Sequence, residues 1–295
     1  MLDFSIIVPT YARATSLRRL LTAIAGLDYP TDRFEVIVVD DGGDVPLEAC
    51  GKGRADRFHL AILRQPNAGP AAARNRGARA AQGRYLAFTD DDCLPDENWL
   101  RELSLALQDT PAALCGGKTA NQLPASLPAQ ATQLLMDYLY QNYNPAVTPG
   151  AFYPTNNMAV PRKEFLDLGG FDESLRFGED REFCYRWQVG GRPCVFAPRA
   201  VVRHAHPLGL RAFLRLHFQY GGGTGRFRRT CRAKGLSRPG YSSPLWYVGL
   251  LGYPLKRERG WRGVLLSLLI AASQAASLAG VVWAKGANAR KNETT

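Results

Sequence analysis

"YLAFTDDDCLPDENWL", residues 85–100, runs an apolar strand straight into three consecutive carboxylates. Asp90, Asp91 and Asp92 repel one another, and crowded like charges raise each other's pKa unless a cation sits among them. In an extended chain alternate side chains share a face, so Asp90 and Asp92 point one way and Asp91 another. Two hard oxygen ligands suit Mg²⁺ or Mn²⁺ rather than zinc, and magnesium is usually held by one or two carboxylates together with substrate phosphates. The stretch therefore predicts a divalent cation that arrives with a diphosphate. Alone, a solvated acidic turn capping a helix near Asp96 would explain it too.

The surrounding chain alternates strand and helix patterns. "FSIIVP" (4–9), "FEVIVVDDGG" (34–43), "FHLAILRQ" (58–65) and "RYLAFTD" (84–90) are short apolar runs. Between them "SLRRLLTAIAGL" (16–27), with Ser16 as N-cap, and the alanine-rich "GPAAARNRGARAAQG" (69–83) read as helices. Apolar strands alternating with helices predict an α/β fold with a mostly parallel sheet buried on both faces. Ligands of such sheets bind beyond the carboxyl ends of the strands, where Asp40, Asp41 and Asp90 to Asp92 cluster. Further on, one helix is expected near 129–141 and another from Glu179. Residues 192–207 read as a strand pair ending in His204 and His206.

An apolar fraction of 46% and a charged fraction of 21% over 295 residues exclude a disordered chain. Six scattered cysteines form no C-x-x-C pair, which fits a reducing compartment better than a zinc site or disulfide scaffold. "LDFSIIVPTY" offers no basic segment followed by a long apolar one, so no signal peptide is expected. The net charge of +11 is uneven: from Arg199 onward there are 17 Lys and Arg against 2 Asp and Glu, whereas the residues before it carry 20 against 24. Such a basic C-terminal third suggests an anionic surface.

That third also holds "WRGVLLSLLIAASQAASLAGVVWAK" (261–285), uncharged between Arg262 and Lys285 and bracketed by Trp261 and Trp283. As a helix it would extend roughly 33 Å, close to a hydrocarbon core of about 30 Å. Membrane contact is expected, with the basic runs 225–238 and 256–262 facing anionic headgroups and 245–253 in the interface. A spanning helix would carry Lys285, Arg290 and Lys291 across, against the positive-inside rule, so a re-entrant or in-plane helix stays open. A buried core helix is the alternative.

The blocks "SIIVPTYAR" (5–13), "VIVVDDGGD" (36–44), "NAGPAAARNRGARAAQGRYLAFTDDDCLPD" (67–96), "NNMAVPRKEFLDLGGFDE" (156–173) and "GED" (178–180) together resemble family 2 glycosyltransferases, in that family's order and spacing. The resemblance covers roughly residues 4–207 and implies the GT-A fold, a Rossmann-like mostly parallel sheet with flanking helices. It also implies an inverting, metal-dependent transfer of one sugar from a nucleotide-diphosphate donor to a hydroxyl. Residues 1–238 would form the catalytic domain, its nucleotide half about 1–118 and its acceptor half about 119–238. Residues 239–295 would form a membrane-associated region.

The resemblance assigns roles to matching positions. Pro9, Thr10, Tyr11 and Asp41 would hold the nucleobase; Asn67, Gly69 and Arg74 would flank the nucleotide, Arg74 having an ordinary surface cation as its alternative. Asp92 would ligate Mg²⁺ or Mn²⁺. Asp90 would reach the ribose or a metal-bound water, with Asp91 beside it on the nucleotide side, and His204 would be a further metal ligand. Asn156 and Asn157 would lie by the donor sugar. Asp180, with Glu179 beside it, would be the catalytic base, because an acceptor hydroxyl needs a carboxylate to take its proton as the C1–O bond forms. First-turn acids favoured by a helix dipole are the alternative for that pair. The donor expected is a nucleotide-diphospho-sugar, a UDP-sugar foremost. The acceptor expected is a carbohydrate or lipid-linked molecule at the cytoplasmic face of a membrane.

Three competing readings have different consequences. A basic nucleic-acid binder using 226–238 would explain the charge but not acids at strand ends that repel phosphate. A catalytically inactive scaffold is disfavoured by the intact triplet, the "ED" pair and His204. A nucleotidylyltransferase would show a glycine-rich basic loop after the first strand, where this chain has "PTYARATS". Processive members of the family carry Q-x-x-R-W well downstream of the base, whereas "FCYRW" (183–187) follows at once and begins with Phe183. Single-sugar addition is therefore predicted. Mass spectrometry of products from the purified enzyme and one donor should show one added sugar; a ladder of many would contradict it.

Overall fold

Phe4–Thr10 (β1) begins an eight-stranded sheet in the computed structural model of the protein. The structure describes residues 1–43, 47, 50, 57–142, 152–205, 208–235 and 243–292, with 285–292 as backbone. The strands that follow are Phe34–Asp40 (β2), His59–Arg64 (β3), Tyr85–Phe88 (β4), Cys93–Pro95 (β5), Leu114–Asn121 (β6), Met158–Pro161 (β7) and Cys194–His204 (β8). The helices are Ala14–Ile24 (α1), Pro70–Ala80 (α2), Trp99–Gln108 (α3), Leu127–Asn142 (α4), Arg162–Asp167 (α5), Glu179–Val189 (α6), Leu210–Ala233 (α7), Pro244–Arg257 (α8) and Trp261–Asn292 (α9). His206 lies outside the described residues.

The sheet order is β3-β2-β1-β4-β7-β6-β8-β5. Its parallel part, β3-β2-β1-β4, is the part the alternating pattern foretold. Beyond it β7 pairs antiparallel with β4 and β6, and β5 with β8. Every residue of β2 and β4 is buried, because helices cover both faces of those central strands. Ile6, Val8, Leu17, Leu20 and Val36 anchor one core layer; Ile7, Val39, Phe88, Phe165 and Phe183 anchor the other. Alternation along β1 sends Ile6 and Val8 to one layer and Ile7 to the other.

Two expectations are corrected. Ser16 does not cap α1, which starts at Ala14 with Arg13 at its N-cap and no side-chain capping bond. Residues 192–207 hold one long strand, β8, rather than a strand pair.

The chain divides into two compact units: Met1–Ala120 with Pro145–His204, and Asn121–Asn144 with Ala205–Thr295. The expected boundary at 238/239 falls inside the second of these. That unit is helical, and Tyr138, Phe213, Leu250, Leu266 and Ile270 share its core. Within residues 208–235 the chain forms the 24-residue α7, Leu210–Ala233, in spite of the glycines at 221, 222, 223 and 225. Glycines on both helices let α7 and α9 approach closely: a Cβ at Gly221 of α7 would lie 1.9 Å from the Ser277 carbonyl oxygen, and one at Gly280 of α9 would lie 2.0 Å from that of Phe218. Glycine weakens an isolated helix by about 1 kcal/mol, so this contact overrides local propensity. Gly221→Ala should force the helices apart and lose about 1–3 kcal/mol, as overpacking does. A lowered midpoint of helical unfolding by circular dichroism would show it; an unchanged midpoint would refute the packing role.

Candidate active site

The acidic triplet follows β4, where the chain leaves the sheet, and each carboxylate meets a cation or donor. Asp90 accepts from Arg74 Nη2 at 2.6 Å. Asp91 is buried and accepts from Thr10 Oγ1 at 2.7 Å and from Arg13 Nη1 at 3.2 Å. Asp92 accepts from the same Arg13 Nη1 at 2.8 Å, and its Oδ1 lies 3.1 Å from His204 Nε2. Asp91 thus turns inward, while Asp90 and Asp92 keep partly open side chains. Burial pushes the Asp91 carboxyl up to about 6, against the lowering effect of Thr10 and Arg13.

Sheet pairing delivers His204. The short strand β5 sets Cys93 opposite His204, Leu94 opposite Arg203 and Pro95 opposite Val202. Arg203 clamps this register by donating two hydrogen bonds to Asp96, at 2.7 and 2.9 Å. Asp92, Cys93 and His204 offer donor atoms within 4.8 Å of one another. Burial and the nearby acids hold the Cys93 thiol well above its ordinary pKa, so it is a poor thiolate ligand. Carboxylate oxygen and imidazole nitrogen remain, and their separation suits neighbouring ligands, which lie about 3 Å apart around a cation bound at about 2.1 Å. A carboxylate oxygen beside an imidazole nitrogen is a donor pair that could hold a divalent cation, Mn²⁺ more readily than Mg²⁺, which prefers oxygen alone.

Arg74 carries the site inward. It is 4% exposed, which removes the surface-cation alternative, and it bridges Asp90 to Glu179, with Nη1 to Glu179 Oε1 at 3.0 Å. Burial disfavours its charge, but Asp90 and Glu179 outweigh burial and raise its pKa. The α6 helix starts at Glu179 after Gly178, whose φ of 86° is a left-handed conformation suited to glycine. Burial first, and then the charge of Asp180, pushes Glu179 up to about 7. Asp180, half-buried, is raised mainly by burial, and its Oδ1 accepts from the Arg181 amide at 2.7 Å.

The expected nucleotide side is built from loops. Asp41 accepts from Gln65 Nε2 at 2.8 Å and from the Ala68 and Gly69 amides at 2.9 Å each, so it shapes the loop leading into α2. A Cβ at Gly42, whose φ is 91°, would come 2.8 Å from the Asn67 nitrogen. Gly69, at φ 94°, ends the loop as the α2 N-cap. Asn67 and Tyr11 are exposed, Pro9 is half-buried, and Thr10 is buried on Asp91. Asp40 accepts from the Gly43 amide, a turn bond.

Two expected residues do not join this cluster. Asn157 is fully buried; its Oδ1 accepts from Trp99 Nε1, and its Nδ2 donates to the Lys118 and Ala200 carbonyls. These bonds tie α3, β6 and β8 together, which is a scaffold task. Asn156 accepts from Thr119 Oγ1 at 2.9 Å and is also buried. Sequence reasoning missed Arg13, whose one guanidinium nitrogen serves both Asp91 and Asp92. Its signal was its place at the end of "PTYAR", at the carboxyl end of β1.

The family model for Glycosyl transferase family 2 matches residues 5–168. The chain belongs to that family. The pre-mycofactocin glycosyltransferase of Mycobacterium tuberculosis is 30% identical over 276 residues, 91% of this chain and 56% of the relative. The chain thus spans little more than half of that relative's length. Glycosyltransferase AglE of Haloferax volcanii is 28% identical, covering 74% of this chain and 72% of its own. Among solved structures, the mannosyltransferase PcManGT of Pyrobaculum calidifontis, in complex with GDP-Man and Mn²⁺, has a TM-score of 0.63 at 20% identity. That match covers 97% of this chain and 79% of the other. Staphylococcus aureus TarS with UDP-GlcNAc scores 0.57 at 18% identity, covering 98% and 92%. These neighbours share the GT-A fold.

Removing Arg74 would leave Asp90 and Glu179 facing each other without their shared cation. Breaking a buried pair in this way costs about 3–5 kcal/mol. Arg74→Met should therefore lower the denaturant midpoint of the sheet unit by that order. Arg74→Lys should rescue it only partly, because a point charge cannot replace a two-armed bridge. Full rescue by lysine would refute the bridging role.

Proposed function

We propose that the protein is an inverting, metal-dependent glycosyltransferase that moves one sugar from a nucleotide diphosphate to an acceptor hydroxyl at a membrane surface. The observation that carries this reading is a charge deficit. Arg13 pairs with Asp91 and Asp92, Arg74 with Asp90 and Glu179, and the charge of Arg181 also acts on Asp180, so these five carboxylates outnumber the guanidiniums set among them. Five carboxylates around three guanidiniums leave a deficit of positive charge that a divalent cation would relieve.

In this reading Asp92 and His204 would hold the cation, with Asp90 directed toward the ribose. The metal, when bound, supplies positive charge to the departing diphosphate. The chain's own residues do the rest. The Asp41 carboxylate fixes the 65–69 loop against which a nucleobase would lie. Arg74 ties the triplet to the start of α6, so the donor side and the base move as one piece. Asp180 takes the acceptor proton at a carboxylate oxygen. Attack on C1 from the face opposite the leaving nucleotide inverts the anomeric centre. Glu179, held by Arg74, keeps that guanidinium in place between the two motifs.

The relatives support the class and leave the donor open. PcManGT carries GDP-Man and TarS carries UDP-GlcNAc, so both a purine and a pyrimidine donor fit this fold. The donor proposed here is a nucleotide-diphospho-sugar, a UDP-sugar foremost, and the acceptor a carbohydrate or lipid-linked hydroxyl.

Calorimetric titration with UDP, GDP, dTDP and CDP, with and without Mn²⁺, should find metal-dependent binding of one of them, lost in Asp92→Ala. Asp180→Asn should keep that binding and lose turnover by about 10²-fold or more, the usual scale for a positioned base. Turnover should also fall as pH drops into the acid range, because burial raises the Asp180 pKa and only the deprotonated form accepts a proton. Metal-independent binding, or an active Asp180→Asn variant, would refute the assignments.

A further inference from the structure

The helical unit exposes a continuous apolar stripe. Among the described side chains of α9, residues 261–284, the exposed ones are Trp261, Val264, Leu268, Ala275, Leu278, Ala279, Val282 and Trp283, all apolar. Their spacings of three, four and seven residues, with adjacent pairs at 278/279 and 282/283, place them on one face of the helix over residues 261–284. The opposite face, with Gly263, Leu266, Ile270, Ser273, Gly280 and Ala284, is buried in protein. Exposed Val248, Leu251 and Leu255 form a second stripe on α8. Ser267 Oγ donates to the Leu251 carbonyl at 2.9 Å, which joins the two helices at the edge of both stripes. Contiguous exposed apolar surface of this extent marks an interaction site.

Trp261–Ala284 has a mean hydropathy of 1.9 and only 22% of its most apolar window buried, so length and composition alone would let it cross a bilayer. Its packing argues otherwise. α7 lies along α9 in the same direction: Ser277 Oγ donates to the His217 carbonyl, Gly221 abuts Ser277, Gly225 abuts Ala284, and Arg229 Nη1 donates to the Ala284 carbonyl. Carried back along α7, this pairing sets the exposed Arg211 and Arg215 beside the middle of Trp261–Ala284. A spanning α9 would drag two exposed guanidiniums into hydrocarbon, where charges are expensive.

We infer that α9 lies in the plane of an anionic lipid bilayer, with its apolar stripe and that of α8 in the headgroup–acyl boundary. The inference rests on, and sharpens, the membrane-surface part of the proposed function. Charge names the partner: Lys256, Arg257 and Arg259 are exposed at the Trp261 end of the stripe. Glu258 is the only acidic residue among the described positions 208–292, and Arg262 pairs with it at 3.3 Å. Basic residues flanking an apolar helix face with tryptophan at both ends suit an anionic interface.

The test uses the full chain, made without detergent, in flotation with sealed vesicles of phosphatidylcholine alone or mixed with phosphatidylglycerol. Flotation is expected with the mixed vesicles and should weaken in high salt. Alkaline carbonate should release the protein, and a C-terminal tag should stay open to added protease. Leu268→Glu with Val282→Glu should abolish flotation while circular dichroism and nucleotide-diphosphate binding stay as in the parent. Carbonate resistance with a protected tag would mean a spanning helix and overturn the inference. Flotation unchanged by the glutamates, or absent from both vesicle types, would overturn it too. A concentration-dependent dimer lost in the glutamate variant would instead assign the stripe to a second copy. Nucleotide titration of the same samples separates the two ideas: vesicle binding without any nucleotide binding would sink the transferase reading and leave the docking face standing.

Discussion

Arg74 is the constraint on which the sheet unit depends. It sits on α2, is almost wholly buried, and joins a carboxylate at the end of β4 to one at the start of α6. A buried ion pair adds little net stability, because desolvation offsets most of the attraction. What it does supply is position. Asp90 and Glu179 are far apart in sequence, and no backbone pairing joins β4 to α6. One two-armed guanidinium fixes their separation to hydrogen-bond precision. The small residues on the same helix make that burial possible: a Cβ at Gly77 would come 2.6 Å from Ile7 Cγ2, so α2 rides close on β1 and carries Arg74 under the strand ends.

The other half of the cluster is fixed by sheet register. His204 lies beside Asp92 because the three residues of β5 pair with the end of β8, and the Arg203–Asp96 fork holds that pairing in phase. A slip of one residue would turn His204 to the opposite face. The triplet is thus held by two devices of different kind, a buried cation on one side and a strand pairing on the other.

How much of this was legible depended on whether the signal was local. The strands β1 to β4 and helices α1 and α2 follow from apolar periodicity, and the triplet and "ED" pair declare themselves as acids at element ends. Arg74 did not declare its burial, since an arginine in an alanine-rich helix has the same local pattern whether exposed or bridged. Arg13 was overlooked for the same reason. Asn157 matched a family block yet serves Trp99, Lys118 and Ala200, a set of partners that only the folded sheet brings together. The glycines of 221–225 argue locally against a helix, and α7 exists because α9 rewards close approach. Each miss is a case where tertiary packing outvoted local preference.

The two units divide the charge of the chain, and the division has a physical use. In the proposed reading, a cation held by Asp92 and His204 beside the other carboxylates would bind best while permanent positive charge around it stays scarce, since each further arginine would compete for the same oxygens. Arg13 already does so, spanning Asp91 and Asp92 from an exposed position at the end of β1. Being more than half exposed, it gains little from the contact and loses little on leaving it, so in the proposed reading it is the cation that a metal–diphosphate pair would displace. Arg74, buried and doubly bridged, cannot be exchanged in that way. The excess positive charge is carried instead by the helical unit, where the inferred anionic lipid surface would be a different anion for it to meet. The sheet unit balances 22 Lys and Arg against 23 Asp and Glu, whereas the helical unit sets 15 against 3, so one polypeptide holds a deficit of positive charge at the triplet and a surplus on its helical unit.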